Sequence, residues 1–225
     1  MIELVALDMA GTTIEEGGAV YDALRGAVVG RGGTLTDEDV APWMGADKRQ
    51  AIRALSVMAS GEEPDDATVE EIYATFHDRL LASYRESPPR PIDGVPEAFV
   101  ALRSAGVKVA LTTGFSADVH GPLLETLGWD APATVDAIVC TDDVPLGRPA
   151  PYMVFRAMER TGVTDVRRVL VAGDTPRDLQ AGMNAGALAV VGVGTGGVGL
   201  AELGRHRHTH LLASLATLPE LVAEL

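Results

Sequence analysis

Five short apolar runs recur along this chain, each cut off by a polar residue or a glycine, with helical patterns between them. Val5-Ala6-Leu7 stops at Asp8. Residues 107–111 (Val-Lys-Val-Ala-Leu) stop at Thr112-Thr113-Gly114, and Ala137-Ile138-Val139-Cys140 stops at Thr141-Asp142-Asp143. Val169-Leu170-Val171-Ala172 stops at Gly173-Asp174-Thr175, and Leu188-Ala189-Val190-Val191 stops at Gly192. Runs of this length, rich in β-branched residues, read as strands covered on both faces. Helical patterns fill residues 96–105, 118–127, 152–161 and 178–185. Strand alternating with helix predicts an α/β fold with a doubly wound parallel sheet. The active site of such a sheet lies outside the carboxyl ends of its strands, and here the polar residues stand at those ends.

Residues 20–87 follow another rule. Helical patterns succeed one another over 21–31, 37–43, 48–59 and 68–83, punctuated by Gly32-Gly33, Gly61 and Pro64. Thr36, with Glu38 and Asp39 behind it, is placed to cap a helix start. The segment reads as an α-helical insertion after the first strand. The predicted organisation is a core of residues 1–16 and 89–225 with a helical cap over 17–88. Pro88-Pro89-Arg90-Pro91 makes a stiff return, so the cap is expected to move as a rigid lid.

Composition narrows the function. The 225 residues carry a formal net charge of -14 and are 47% hydrophobic, which fits a folded globular protein. So acidic a chain repels nucleic-acid phosphates and anionic lipid, so neither is an expected partner. A small anionic substrate stays open, because a bound divalent cation overrides the global field. The single cysteine, Cys140, excludes an internal disulfide and reads as a small buried hydrophobe. A cytoplasmic location is expected, since the chain shows neither a basic, apolar leader nor an apolar run of about 20 residues. His206, His208 and His210 read as a solvated stretch. Residues 192–199, Gly-Val-Gly-Thr-Gly-Gly-Val-Gly, follow a late strand but are not followed by the βαβ unit and ribose-binding acid of a dinucleotide fingerprint, and read as a flexible loop near the core.

The strand ends supply Asp8, Thr113, Arg148, Asp174 and Asp178, each with a chemical task. A carboxylate can attack a phosphoryl group and form an aspartyl-phosphate. Nucleophile and phosphate repel each other, so a divalent cation must bridge them. Magnesium takes hard oxygen ligands, among them one or two carboxylates. Asp8 and Asp174 suit that role. Asp178, four residues on, adds a contact to the metal or behind it. Thr113 can donate a hydroxyl and Gly114 a backbone N–H to a phosphoryl oxygen, while Arg148 can neutralise charge on the transferring group.

In order and position these segments resemble the haloacid dehalogenase superfamily, specifically its phosphonatase branch with a cap inserted after the first strand (type C1). The matching segments are Asp8-Met9-Ala10-Gly11-Thr12-Thr13, Met44-Gly45-Ala46-Asp47-Lys48, Thr112-Thr113-Gly114-Phe115, residues 142–149 and Gly173-Asp174-Thr175-Pro176-Arg177-Asp178. The resemblance implies that Asp8 is the nucleophile. It implies that Mg2+ is bound by Asp8, Asp174 and the carbonyl of Ala10, with Asp178 nearby. It gives Thr113 and Arg148 the phosphoryl group, and Gly11, Thr12, Gly114, Met44 and Gly45 contacts to phosphate or substrate. Lys48 matches the lysine that forms a Schiff base with the aldehyde in phosphonatases. The methionines Met44 and Met58 also fit simple packing.

Ala10 has a consequence of its own. A carboxylic acid two residues after the nucleophile would protonate an alkoxide leaving group, and alanine cannot. Unactivated esters and phosphomutase chemistry are therefore disfavoured. Three departures from phosphonatases stand out: Gly17-Gly18 in place of a cysteine, Ala51 in place of a histidine and Phe115 in place of a tyrosine. Asp47 beside Lys48 favours a protonated amine, so a clamp on a substrate anion stands beside the Schiff-base role. The expected function is Mg2+-dependent hydrolysis of a small phosphorylated or phosphonate metabolite through an aspartyl-phosphate. The alternatives are a true phosphonoacetaldehyde hydrolase that cleaves a C–P bond through Lys48, and a non-catalytic regulator that binds phosphate compounds. The chain is expected to be a monomer or a homodimer.

Overall fold

The computed structural model describes all 225 residues. In chain order, β1 (Leu4–Asp8) and β2 (Ile14–Glu15) precede helices α1 (Ala19–Val29), α2 (Asp37–Val40), α3 (Lys48–Ser60) and α4 (Asp66–Glu86). Then come β3 (Arg90–Pro91), α5 (Val95–Ser104), β4 (Lys108–Thr112), α6 (Ala117–Leu127), β5 (Ala137–Val139) and α7 (Tyr152–Thr161). The chain ends with β6 (Val169–Gly173), α8 (Pro176–Ala185), β7 (Ala189–Val193), α9 (Leu200–Leu203), β8 (His210–Leu212) and α10 (Leu218–Glu224). Two compact units result: Met1–Glu15 with Pro89–Leu225, and Glu16–Pro88.

The larger unit holds a six-stranded parallel sheet in the order β5-β4-β1-β6-β7-β8. Every residue of β1, β6 and β7 is buried, as two covered faces require. Alternation sorts the side chains: Leu4 and Ala6 of β1 join Val169 and Val171 of β6 in a cluster with Met153, Val154 and Ala157 of α7. Leu179 of α8 packs with Val190 and Leu203. Phe99 of α5 meets Trp129 edge to face, with ring centroids 5.2 Å apart. The expected doubly wound α/β core is therefore observed. The sixth strand, β8, lay hidden in the histidine stretch. It is three residues long and half-buried, so it carries no apolar run, and His210 belongs to it rather than to a loop. A short antiparallel pair, Ile14–Glu15 with Arg90–Pro91, also gives no sequence signal.

In the helical unit α1 packs on α3 and α4, and α3 on α4. Leu24, Ile52, Leu55, Phe76 and Leu80 are among its fully buried apolar side chains. Capping sets the helix starts. Thr36 and Asp39 make a reciprocal capping box, Asp47 accepts from Gln50 N–H, and Asp65 accepts from Thr68 N–H. Gly33, at φ 83°, lies where a Cβ would fall 2.0 Å from the Ala59 carbonyl oxygen, so no other residue fits.

Candidate active site

Strand register assembles the site. Asp8, at the end of β1, pairs with Thr112 of β4, while Leu7 pairs with Ala172 of β6. Asp8, Thr112-Thr113 and Gly173-Asp174 therefore reach one edge of the sheet together. α8 begins at once, and its first turn presents Asp178. Gly173 permits that abrupt start, since a Cβ there would lie 2.3 Å from Cβ of Asp178.

Arg148 is the hub, only 4% exposed. Its Nη1 donates to Asp8 Oδ1 at 2.6 Å and lies 2.5 Å from Asp178 Oδ1. Its Nη2 donates to Thr112 Oγ1 at 3.0 Å. The other oxygen of Asp178 accepts from the N–H of Thr175 at 3.0 Å and from its hydroxyl at 2.5 Å. Both oxygens of Asp178 are thus engaged within the protein. Thr12 donates its hydroxyl to Asp174 Oδ1 at 2.8 Å, and Thr13 donates to the carbonyl of Asp8 at 3.0 Å. The N–H of Thr113 donates to Val139 at 2.9 Å, while its hydroxyl accepts from Phe115 N–H at 3.1 Å and keeps its own proton to donate. Gly114 is buried beside it, and Gly11, at φ 86°, turns the loop after β1. Ala10 is half-buried and bridges to Ile14.

Burial dominates the electrostatics. It raises Asp8 from an ordinary 3.8 to about 6, with Arg148 opposing and Asp178 adding to the rise. Asp174 is raised well above the usual carboxylate range by burial, then by Asp8 and Asp178. Burial opposes the charge on Arg148, but Asp178 and Asp8 outweigh it and hold the guanidinium more firmly charged. Oxygen atoms of Asp8, Asp174 and Asp178 lie within 4.8 Å of one another. One arginine beside three buried acids leaves negative charge uncompensated, which suits a divalent cation. The donors are hard oxygens, and both oxygens of Asp178 already face protein donors, Arg148 and Thr175. Asp8 and Asp174 match the one or two carboxylates that magnesium prefers, with Asp178 beside them.

The helical unit holds Lys48, Met44 and Gly45. Lys48 opens α3, and its Nζ donates to the carbonyl of Ala46 at 2.9 Å. Asp47, read from sequence as the partner of the ammonium, instead caps α3 through Gln50 N–H at 2.8 Å. Lys48 acts electrostatically on Glu16, whose pKa burial raises and which accepts from Val20 N–H at 2.9 Å. Gly45 donates its N–H to Tyr21 Oη at 3.3 Å, and Met44 is half-buried beside it.

Sequence reasoning passed over Thr112, Thr175, Thr195 and Gly196. Thr175-Pro176-Arg177-Asp178 carries the spacing of a capping box, which could have tied Thr175 to Asp178. Thr195 had no such signal. Its hydroxyl donates to the carbonyl of Gly11 at 2.7 Å, so the glycine-rich stretch, expected to be a flexible loop, is anchored on the site.

A family model for haloacid dehalogenase-like hydrolases matches residues 2–186. The chain is 33% identical over 215 residues to a phosphonoacetaldehyde hydrolase of Bacillus cereus, covering 89% of this chain and 80% of that one. A phosphonoacetaldehyde hydrolase of Bacillus cytotoxicus is also 33% identical, with the same coverage. A hydrolase from Pseudomonas syringae has the same fold, with a TM-score of 0.87 at 20% identity, covering 99% of both chains. So does a phosphonoacetaldehyde hydrolase-like protein from Oleispira antarctica, with a TM-score of 0.81 at 21% identity over 99% of this chain and 92% of that one. This chain belongs to the haloacid dehalogenase-like hydrolases and is an enzyme of that family, phosphonatase-like in sequence. No helix is long and apolar enough to cross a membrane.

Proposed function

We propose that this enzyme hydrolyses a small phosphorylated or phosphonate metabolite in the cytoplasm through an aspartyl-phosphate on Asp8. The observation that carries the reading is the buried Arg148–Asp8 contact at 2.6 Å beside Asp174 and Thr113. Asp8 is the nucleophile: its carboxylate oxygen forms a bond to phosphorus as the bond to the leaving group breaks. Arg148 keeps Asp8 ionised although burial works against its charge, and it faces the charge spread over the transferring group. Thr113 donates its free hydroxyl proton to a phosphoryl oxygen. Water then attacks the aspartyl-phosphate, releasing inorganic phosphate and restoring Asp8. Asp8, Asp174 and the Ala10 carbonyl would hold Mg2+, which supplies charge neutralisation between nucleophile and phosphoryl group.

A narrower reading is favoured by Lys48 and by the phosphonoacetaldehyde hydrolases at 33% identity. The Lys48 amine condenses with an aldehyde carbonyl and loses water, giving a protonated imine. When the C–P bond breaks, its electron pair passes into the imine as an enamine. Protonation and hydrolysis release the aldehyde and restore Lys48. This route needs no acid at residue 10, which agrees with Ala10.

The test is turnover of a panel of phosphonates and phosphate esters, with borohydride added to trap substrate on Lys48. Asp8→Asn is expected to abolish all turnover with the fold intact, since the amide cannot attack phosphorus. Near-normal activity in that variant would refute the nucleophile. Aldehyde release without a trapped Lys48 adduct would remove the Schiff base and leave Lys48 as an anion clamp.

A further inference from the structure

Asp174 is held from two sides. Its Oδ1 accepts from Thr12 at 2.8 Å. Its Oδ2 faces the backbones of Gly11 and Gly196, where added Cβ atoms would lie 2.6 Å and 1.8 Å away. That Cβ of Gly11 would also sit 3.0 Å from Cα of Gly196, so the two loops touch. Thr195 locks them together by donating to the carbonyl of Gly11 at 2.7 Å. Three chain segments, after β1, β6 and β7, therefore converge on one carboxylate. The terminal torsion of a carboxylate is broad in itself; here Thr12 holds Oδ1 and glycine backbone walls Oδ2.

We infer that Thr195 and Gly196 form a positioning clamp that sets the orientation of Asp174 toward the divalent cation. The clamp rests on the proposed Mg2+ site and extends it to a loop with no acidic residue. Partners behind a metal ligand set its aim, and losing one weakens metal affinity by about 10- to 100-fold. Thr195→Val keeps the shape of the side chain and removes its donor. Thr195→Ser keeps the donor. Gly196→Ala pushes a methyl group into Oδ2.

The experiment is Mg2+ titration of the metal-free full-length protein by calorimetry for the parent and the three variants, with thermal unfolding as a check on folding. Thr195→Val is expected to weaken Mg2+ binding about tenfold or more, Thr195→Ser to restore it and Gly196→Ala to weaken it further. Activity should follow as a higher Mg2+ requirement, with kcat at saturating Mg2+ changing less. Parent-like Mg2+ affinity in folded Thr195→Val would overturn the clamp, as would a Thr195→Ser as weak as the valine variant. If Gly196→Ala does not fold, the threonine pair decides alone. If the parent binds no Mg2+, the metal reading itself fails. The clamp is then judged on crystal structures, where an unchanged Asp174 conformer in Thr195→Val overturns it and a rotated one supports it.

Discussion

Two residues after Asp8, where a carboxylic acid would protonate a departing alkoxide, the chain carries Ala10. Its methyl group is half-buried in the loop that Gly11 turns. Ala10→Asp is expected to raise phosphate monoesterase activity, up to the factor of about 10²–10⁴ that a positioned acid contributes. It should do nothing for a leaving group that departs as an enamine. The measurement is the ratio of monoesterase to phosphonatase activity, variant against parent, and an unchanged ratio in a folded, Mg2+-binding variant contradicts this account of Ala10. Asp8, Asp174, Asp178 and Arg148 could be picked from sequence because each follows a strand in a recognisable order. Their division of labour could not. Asp178 spends both oxygens on Arg148 and Thr175, and Thr12 spends its hydroxyl on Asp174, a contact that needs loops 162 residues apart in the chain to meet.

At the scale of elements, α8 joins the core to the site. Asp178 closes the capping box at its start and also holds Arg148, so one side chain serves helix and site together. Thr175→Ala removes the cap and should destabilise the protein by about 0.5–2 kcal/mol, with Thr175→Ser close to parent. Denaturant unfolding checks this, and parent-like stability in the alanine variant would show that the cap is idle. The long elements were legible because their periodicity runs for several turns or alternations. Residues 152–161 coincide with α7, and the run ending at Asp8 is β1. The short edge strand β8 and the β2–β3 pair were not, since their pairing depends on where neighbouring strands stand.

At the scale of the molecule, a chain of net charge -14 gathers three acids in one buried cluster. Asp8 has a folded pKa of about 6 against an ordinary 3.8. Between those values the folded protein holds more protons than the unfolded chain, so its stability falls as pH rises. Asp174 acts in the same direction. With a chelator present, thermal unfolding should shift to lower temperature between about pH 4 and about pH 6. Asp8→Asn should lose the part due to Asp8. Saturating Mg2+ should offset the fall above pH 6, because it binds only the folded carboxylates. A chelated profile that stays flat between about pH 4 and about pH 6 would speak against the burial of these charges, and equal profiles with chelator and with Mg2+ would speak against the metal.

The hydrophobic punctuation of this sequence determined by itself a parallel α/β core and the strand ends that carry chemistry, because strand period, helix period and terminal polar residues are local properties. Tertiary structure decided what no local pattern holds. It set the pairing of Arg148 with Asp8 and Asp178, gave Asp47 to a helix cap and Glu16 to the neighbourhood of Lys48, and brought a glycine loop from beyond residue 190 onto Asp174. Each of these is a contact between segments whose spacing along the chain says nothing about their distance in space. Glycine marks the last of them only by absence, since what matters there is the side chain that cannot be present.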